Sequence, residues 1–188
     1  LCLTALLPRL KSRVSVLSEF MNKANFAEYW NKLRPFCIMA LTIYLIYCVF
    51  ARKLVVDGYS MEPNFHDGDT LFVNTIAYIS KEPNRFDVIA LRSENRDYIK
   101  RIIGLPGETL WINENGEVCI NNLIINDPYA KEQILSNMKG IAEAPIVLGN
   151  NEYFVMGDNR NESMDSRTFG PITKDQIIGK IRETKKYN

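Results

Sequence analysis

Residues 98–103 read Tyr-Ile-Lys-Arg-Ile-Ile, a strand-like run with two cations at its centre. Strand alternation sends Tyr98, Lys100 and Ile102 to one face and Ile99, Arg101 and Ile103 to the other, so burial of either face places a cation among apolar neighbours. Arginine stays protonated in proteins, whereas desolvation penalises an ammonium and lets a buried lysine become neutral. Lys100 is therefore the better candidate for an amine base. The competing explanation is an edge strand whose two cations both reach water. A base needs a partner, and Gly58-Tyr59-Ser60-Met61-Glu62-Pro63 holds a serine in a turn where its hydroxyl is open and backbone N–H groups can converge. Many serines in such turns merely cap them. A third polar segment, Gly157-Asp158-Asn159-Arg160-Asn161-Glu162-Ser163-Met164-Asp165-Ser166-Arg167, directly follows an apolar strand. It reads either as a solvated loop or as a network of Asp158, Arg160, Asp165 and Arg167 whose ion pairs brace a site. His66 is the sole histidine. A Ser-His-Asp arrangement would have to use it, but its turn-rich surroundings favour a solvated loop residue.

The elements that must hold these residues are short and alternating. Thr70–Asn74, Asp87–Leu91, Tyr98–Ile103 and Tyr153–Met156 are strand-like, separated by Asp57-Gly58, Asp67-Gly68-Asp69, Leu105-Pro106-Gly107 and Gly149-Asn150. The clearest hairpin joins Thr109–Asn113 to Glu117–Ile120 through Asn115-Gly116, a pair that tolerates positive φ. Residues 131–148 read as a surface excursion, and the stretch of about 109–150 as a smaller, hairpin-containing part of a β-rich domain over 52–188.

Upstream the pattern differs, because residues 36–51 run for 16 positions without a charge. At 1.5 Å per residue that run spans ~24 Å against a hydrocarbon core of ~30 Å, a deficit that Lys32, Arg34, Arg52 and Lys53 can cover by snorkelling. A retained transmembrane anchor is the favoured reading. A cleaved signal, with Val49-Phe50-Ala51 as its cleavage motif, and a buried core helix are the alternatives. Residues 1–35 carry six Lys/Arg and two acids, which keeps the N-terminal extension in the cytoplasm and exports the rest across the plasma membrane.

Composition removes other classes. The chain has 188 residues with 23 basic and 22 acidic side chains, which gives no argument for nucleic acid as a partner. Its four cysteines, Cys2, Cys37, Cys48 and Cys119, lack zinc-site spacing, so neither a metal nor another cofactor is expected. Only Cys119 lies in the exported part, which leaves it without an intramolecular disulfide partner there.

Together the polar segments resemble type I signal peptidases, membrane-anchored Ser/Lys proteases that remove signal peptides from exported preproteins. The similarity runs from about residue 54 to 182 and rests on Gly58-x-Ser60-Met61-x-Pro63, Asp67-Gly68-Asp69, Arg85-x-Asp87-Val88, Tyr98 through Glu108, and Gly157-Asp158-Asn159-Arg160 with Ser163-x-Asp165-Ser166-Arg167. It implies a mostly β fold, an antiparallel β-sheet catalytic domain preceded by one N-terminal transmembrane helix. It further implies Ser60 as nucleophile, Lys100 as general base, Ser163 as the hydroxyl orienting the lysine, and Asp165 with Arg167 as a bracing pair supported by Asp158. Met61 and Pro63 are expected to touch substrate; the partners implied are signal peptides and the lipid bilayer. Where some members carry an oxyanion serine two positions before the nucleophile this chain has Gly58, so the oxyanion donor is chiefly the Ser60 N–H. Self-cleaving Ser/Lys regulators share the chemistry but append a DNA-binding module where this chain has its apolar run.

Overall fold

The computed structural model describes residues 23–93 and 96–182, except for the side chains of 23–25, 27 and 47–51. Most of the basic N-terminal extension, the side chains of Val49-Phe50-Ala51 and residues 183–188 lie outside that description. The chain divides into two units, residues 1–49 and 50–188.

The first unit is built on helix α1 (Lys23–Phe50), which starts well before the uncharged run and contains Pro35. Every described side chain between 26 and 46 is exposed, including Phe36, Leu41 and Ile43. Its first turns are stitched by Lys32 Nζ donating to Glu28 Oε1 at 2.9 Å and by Phe26 stacked on Trp30. Among the described residues no helix is long and apolar enough to cross a membrane, so the anchor expected over 36–51 is not shown by the fold. The last residue of that run, Ala51, opens the first strand instead of closing the helix.

The second unit is antiparallel β throughout. Its strands are β1 (Ala51–Val55), β2 (Thr70–Asn74), β3 (Val88–Ser93), β4 (Arg96–Gly104), β5 (Thr109–Ile112), β6 (Val118–Ile120), β7 (Leu123–Ile124), β8 (Ile146–Val147), β9 (Glu152–Met156), β10 (Ile172–Thr173) and β11 (Ile177–Ile181), with a one-turn helix α2 (Ser166–Phe169). Among the described residues they form a seven-stranded sheet, β1-β2-β11-β3-β4-β9-β10, and a four-stranded sheet, β7-β6-β5-β8.

Side-chain chemistry explains the layering. Thr70-Leu-Phe-Val-Asn74 buries Leu71 and Val73 and exposes the residues between, the signature of a strand covered on one face. Val88 through Leu91 are buried without interruption, because β3 is covered on both. One face of the large sheet packs Val56, Met61, Phe65, Leu71, Val73 and Val88; the other packs Ile89, Leu91, Ile102, Tyr153 and Val155. The small sheet closes over Ile103, Phe154 and Met156 with Leu110, Ile112, Val118 and Ile120. The β5–β6 hairpin turns at Gly116, whose φ of +77° and whose contact with the Ile134 carbonyl leave no room for a side chain.

Strand β11 has no counterpart in the sequence-based expectations, yet it lies between β2 and β3 at the middle of the large sheet. Gly179 interrupts its alternation, and a Cβ there would meet the Asn74 carbonyl of the neighbouring strand. The excursion over 131–148 contains two 3₁₀ turns, Ser136–Met138 and Gly140–Glu143, followed by β8.

Candidate active site

Between β1 and β2 the chain makes a loop closed at its base by Val56 N donating to Asp69 O and Gly68 N donating to Val56 O, both at 2.9 Å. Asp67 Oδ1 accepts from Gly58 N and Asp69 Oδ2 from His66 N, each at 2.8 Å. Met61 and Phe65 anchor the loop in the core beneath. Ser60 sits on its open side, one residue before Met61. Gly58 adopts φ +91°, a conformation that L side chains rarely take, so a serine at this position would be strained.

Strand β4 brings Lys100 to this turn. Its side chain is 2% exposed, and Nζ donates to Ser60 Oγ at 2.6 Å. Burial lowers the Lys100 pKa from its ordinary 10.5 to about 8, overcoming the carboxylates of Asp165 and Asp158, which pull it upward, while the Arg167 guanidinium adds to the lowering. Arg101, the next residue, is equally buried, so both cations of the strand lie inside. Its guanidinium forms a two-pronged pair with Asp158, Nε to Oδ1 at 2.8 Å and Nη2 to Oδ2 at 2.7 Å, and lies 3.7 Å over the Tyr129 ring.

Beside the two residues runs a cleft of about 100 Å³ between 54–57 and 97–100, with Ser60, Met61 and Lys100 in its lining. The pairing of β9 with β4 begins at Arg101, so among the described residues the 96–100 half of β4 has a strand on its β3 side alone. That edge is open to an extended peptide. Pro63, by contrast, is exposed and stands outside the lining of the cleft.

The polar loop 157–167 is mostly buried, contrary to a solvated loop. Its charges do not form one network among Asp158, Arg160, Asp165 and Arg167. They form separate pairs, Asp158 with Arg101, Arg160 with Asp127, and Asp165 with Arg167. Asp165 accepts from Arg167 Nε at 2.9 Å and Nη2 at 2.8 Å, and also from Gly157 N at 3.0 Å. Arg167 Nη1 continues to Met138 O at 2.9 Å. The partners Arg101 and Asp127 escape a sequence reading because they lie far along the chain and no spacing rule links them.

Ser163 lies against Gly157, where any Cβ would collide with Ser163 Oγ and with the Ser60 carbonyl. Glycine at 157 is what lets the two loops close on each other. Ser163 Oγ is buried and makes no hydrogen bond, so the orienting bond to Lys100 is not formed in this structure. Neither type nor spacing singles out Asn159, yet its backbone N donates to Ser60 O at 3.1 Å and its Nδ2 to Tyr59 O at 3.2 Å. His66 is on an exposed turn with Nδ1 3.9 Å from Asp69 Oδ2, and the basic atom on Ser60 Oγ is the lysine nitrogen. Among the described residues no cluster of His, Cys, Asp or Glu is arranged to hold a metal ion.

This arrangement has a hydroxyl in contact with an amine whose pKa burial lowers to about 8, beside an open strand edge. It suits acyl transfer from a peptide. A family model described as signal peptidase, peptidase S26, matches residues 29–184. Signal peptidase I of Bacillus amyloliquefaciens is 40% identical over 156 residues, covering 74% of this chain and 81% of that protein. Signal peptidase I S of Bacillus subtilis is 38% identical over 170 residues, covering 86% and 90%. A solved signal peptidase I from Enterococcus faecalis aligns at 30% identity and a TM-score of 0.46, covering 54% of this chain and 98% of that one.

Proposed function

Since the chain belongs to the signal peptidase family, peptidase S26, and is a serine peptidase of that kind, we propose that it removes signal peptides from exported preproteins with Ser60 as nucleophile and Lys100 as base. The single observation that carries the assignment is the 2.6 Å contact of a buried amine with the Ser60 hydroxyl. Neutral Lys100 takes the Ser60 proton as Oγ attacks the scissile carbonyl, and the resulting ammonium returns that proton to the departing amine. Water, deprotonated by the same lysine, then releases the acyl group and regenerates the serine. Ser163, in this proposal, meets the lysine amine once substrate fills the cleft, and the Asp165–Arg167 and Arg101–Asp158 pairs hold the walls. An exported peptide extended along residues 96–100 would place its carbonyl at Ser60, with Met61 at the cleft floor.

Incubation of the full, detergent-solubilised chain with a preprotein, followed by sequencing of the new N-terminus, tests the proposal. A single cut after the signal peptide is the expected result, and an intact preprotein would refute it.

The base must be unprotonated, which fixes the pH response. With a pKa of about 8 for Lys100, roughly one molecule in ten is competent at pH 7, against about one in 3,000 for an ordinary lysine. kcat/KM for a non-titrating substrate should therefore rise with pH through a midpoint near 8 and level off above it. A midpoint near the ordinary lysine value would mean that Lys100 is not the base. Stability moves the same way, because the folded state disfavours the proton that the unfolded chain retains: it should increase from about pH 8 toward 10.5.

The finer placement belongs to the same proposal. The uncharged run 36–51, which lies within α1 up to Phe50, anchors the protein, the N-terminus is cytoplasmic and residues 52–188 work at the outer membrane surface. Its support is the outward apolar surface of α1 and the basic excess before it. Protease added to spheroplasts should digest residues 52–188 and spare the N-terminus; protection of the whole domain until lysis would reverse the orientation. Thiol labelling is the poorer probe, since Cys119 is buried and burial pushes its pKa up.

A further inference from the structure

We propose that Asn159 is a positioning residue that presets the Ser60 N–H as oxyanion donor, an inference that rests on Ser60 being the nucleophile. Ser60 lies between two peptide planes, and Asn159 holds both. Its Nδ2 donates to Tyr59 O at 3.2 Å and its backbone N to Ser60 O at 3.1 Å. A trans peptide is planar with its C=O and N–H opposed, so fixing the Tyr59 carbonyl fixes the direction of the Ser60 N–H in the same peptide. Fixing the Ser60 carbonyl immobilises the next plane. With both planes held, Ser60 keeps little freedom in φ or ψ. The N–H is then set before substrate arrives, which is where electrostatic stabilisation of an oxyanion gains most.

Two further observations favour this role. The other neighbour of Nδ2 is Glu162 Oε2 at 3.3 Å, again an acceptor, so the NH₂ group and not the amide oxygen must face this side. Tyr59 O also accepts from Glu62 N at 3.2 Å, and two donors on one carbonyl polarise the peptide toward a stronger N–H donor. Asn159 is 1% exposed, so water does not substitute for it readily. Gly58 offers no hydroxyl to this hole, which places more of the burden on the backbone donor.

The test uses the full solubilised chain and the variants Asn159→Ala, Asn159→Asp and Ser60→Ala. Asn159→Ala removes the donor to Tyr59, and Asn159→Asp keeps the shape while turning a carboxylate toward that carbonyl; both retain the backbone bond to Ser60 O. Each should lower kcat tenfold or more with KM within about twofold, and in Asn159→Ala, which adds no charge, the midpoint of the ascending pH limb should stay where it was. Affinity for a peptide aldehyde, whose adduct with Ser60 carries the oxyanion, should fall in parallel with kcat, and affinity for the cleaved peptide should not. A kcat within twofold of the parent in both variants overturns the inference, as does a loss confined to KM. A loss in Asn159→Ala that disappears at high pH overturns it too, because Asn159 would then act through Lys100. Parent-level cleavage by Ser60→Ala overturns the nucleophile assignment together with the inference; inactive Ser60→Ala beside fully active Asn159 variants overturns the inference alone.

Discussion

Ser60→Ala and Lys100→Ala are each expected to reduce preprotein cleavage by a factor on the order of 10⁴ to 10⁶ while leaving the denaturation midpoint of the β-domain nearly unchanged. The reason is that the two side chains act as one unit: without the hydroxyl there is no nucleophile, and without the amine the serine proton has no acceptor within reach. The double variant should be no slower than either single one. Lys100→Arg should fail as badly as alanine, because guanidinium stays protonated in proteins and supplies no neutral nitrogen. His66→Ala should retain activity within about twofold. Single-turnover cleavage of a preprotein measures all five. Substantial activity in Lys100→Ala, or a loss in His66→Ala matching it, would remove the lysine from its role.

The second large effect concerns stability. Arg101 and Asp158 are 1% and 0% exposed, and each satisfies the other along two hydrogen bonds. Removing either partner leaves a charge in the interior without compensation, which costs about 3–5 kcal/mol. Arg101→Ala and Asp158→Ala should therefore lower the urea midpoint strongly and make the domain prone to proteolysis even at neutral pH. Arg101→Met combined with Asp158→Leu should recover a large part of the loss, since an apolar pair needs no partner charge. If the double variant is less stable than both single ones, the pair contributes more than the penalty of isolating its members. Asn64 Nδ2 donates to Asp158 Oδ2 at 2.9 Å, so the variants also loosen the nucleophile loop, and some loss of kcat is expected alongside.

Much of this was legible in the residues because local rules governed it. The alternation of Tyr98–Ile103 singles out Lys100, and the structure buries that lysine against Ser60. Asn115-Gly116 marks the β5–β6 hairpin through a φ that only a glycine takes easily. Strands β2, β4, β5, β6 and β9 follow from alternation bounded by turn residues. What escaped depends on distance along the chain. Arg101 finds Asp158 57 residues later, and Arg160 finds Asp127 33 residues earlier; no spacing predicts either. Asn159 resembles any loop asparagine until its neighbours are known to be two consecutive carbonyls of the nucleophile turn. Ser163 has its neighbourhood right and its hydrogen bond unmade. Strand β11 was obscured by Gly179, whose absence of a side chain both breaks the alternation and permits the close approach to β2.

The position of β11 governs when the enzyme can come into being. It pairs with β2 through Lys180 and Ile181 and with β3 through Ile177, Gly179 and Lys180, while β2 and β3 do not pair with each other. The ladder that joins the half of the sheet next to Ser60 to the half bearing Lys100 therefore runs through the last described strand. A ribosome or a translocation channel delivers the serine and the lysine long before it delivers residues 177–181. Throughout that interval Ser60 and Lys100 stand on a sheet that still lacks the strand joining its two halves. Completion of the sheet that positions Ser60 and Lys100 is thus tied to the delivery of β11, which follows both residues along the chain.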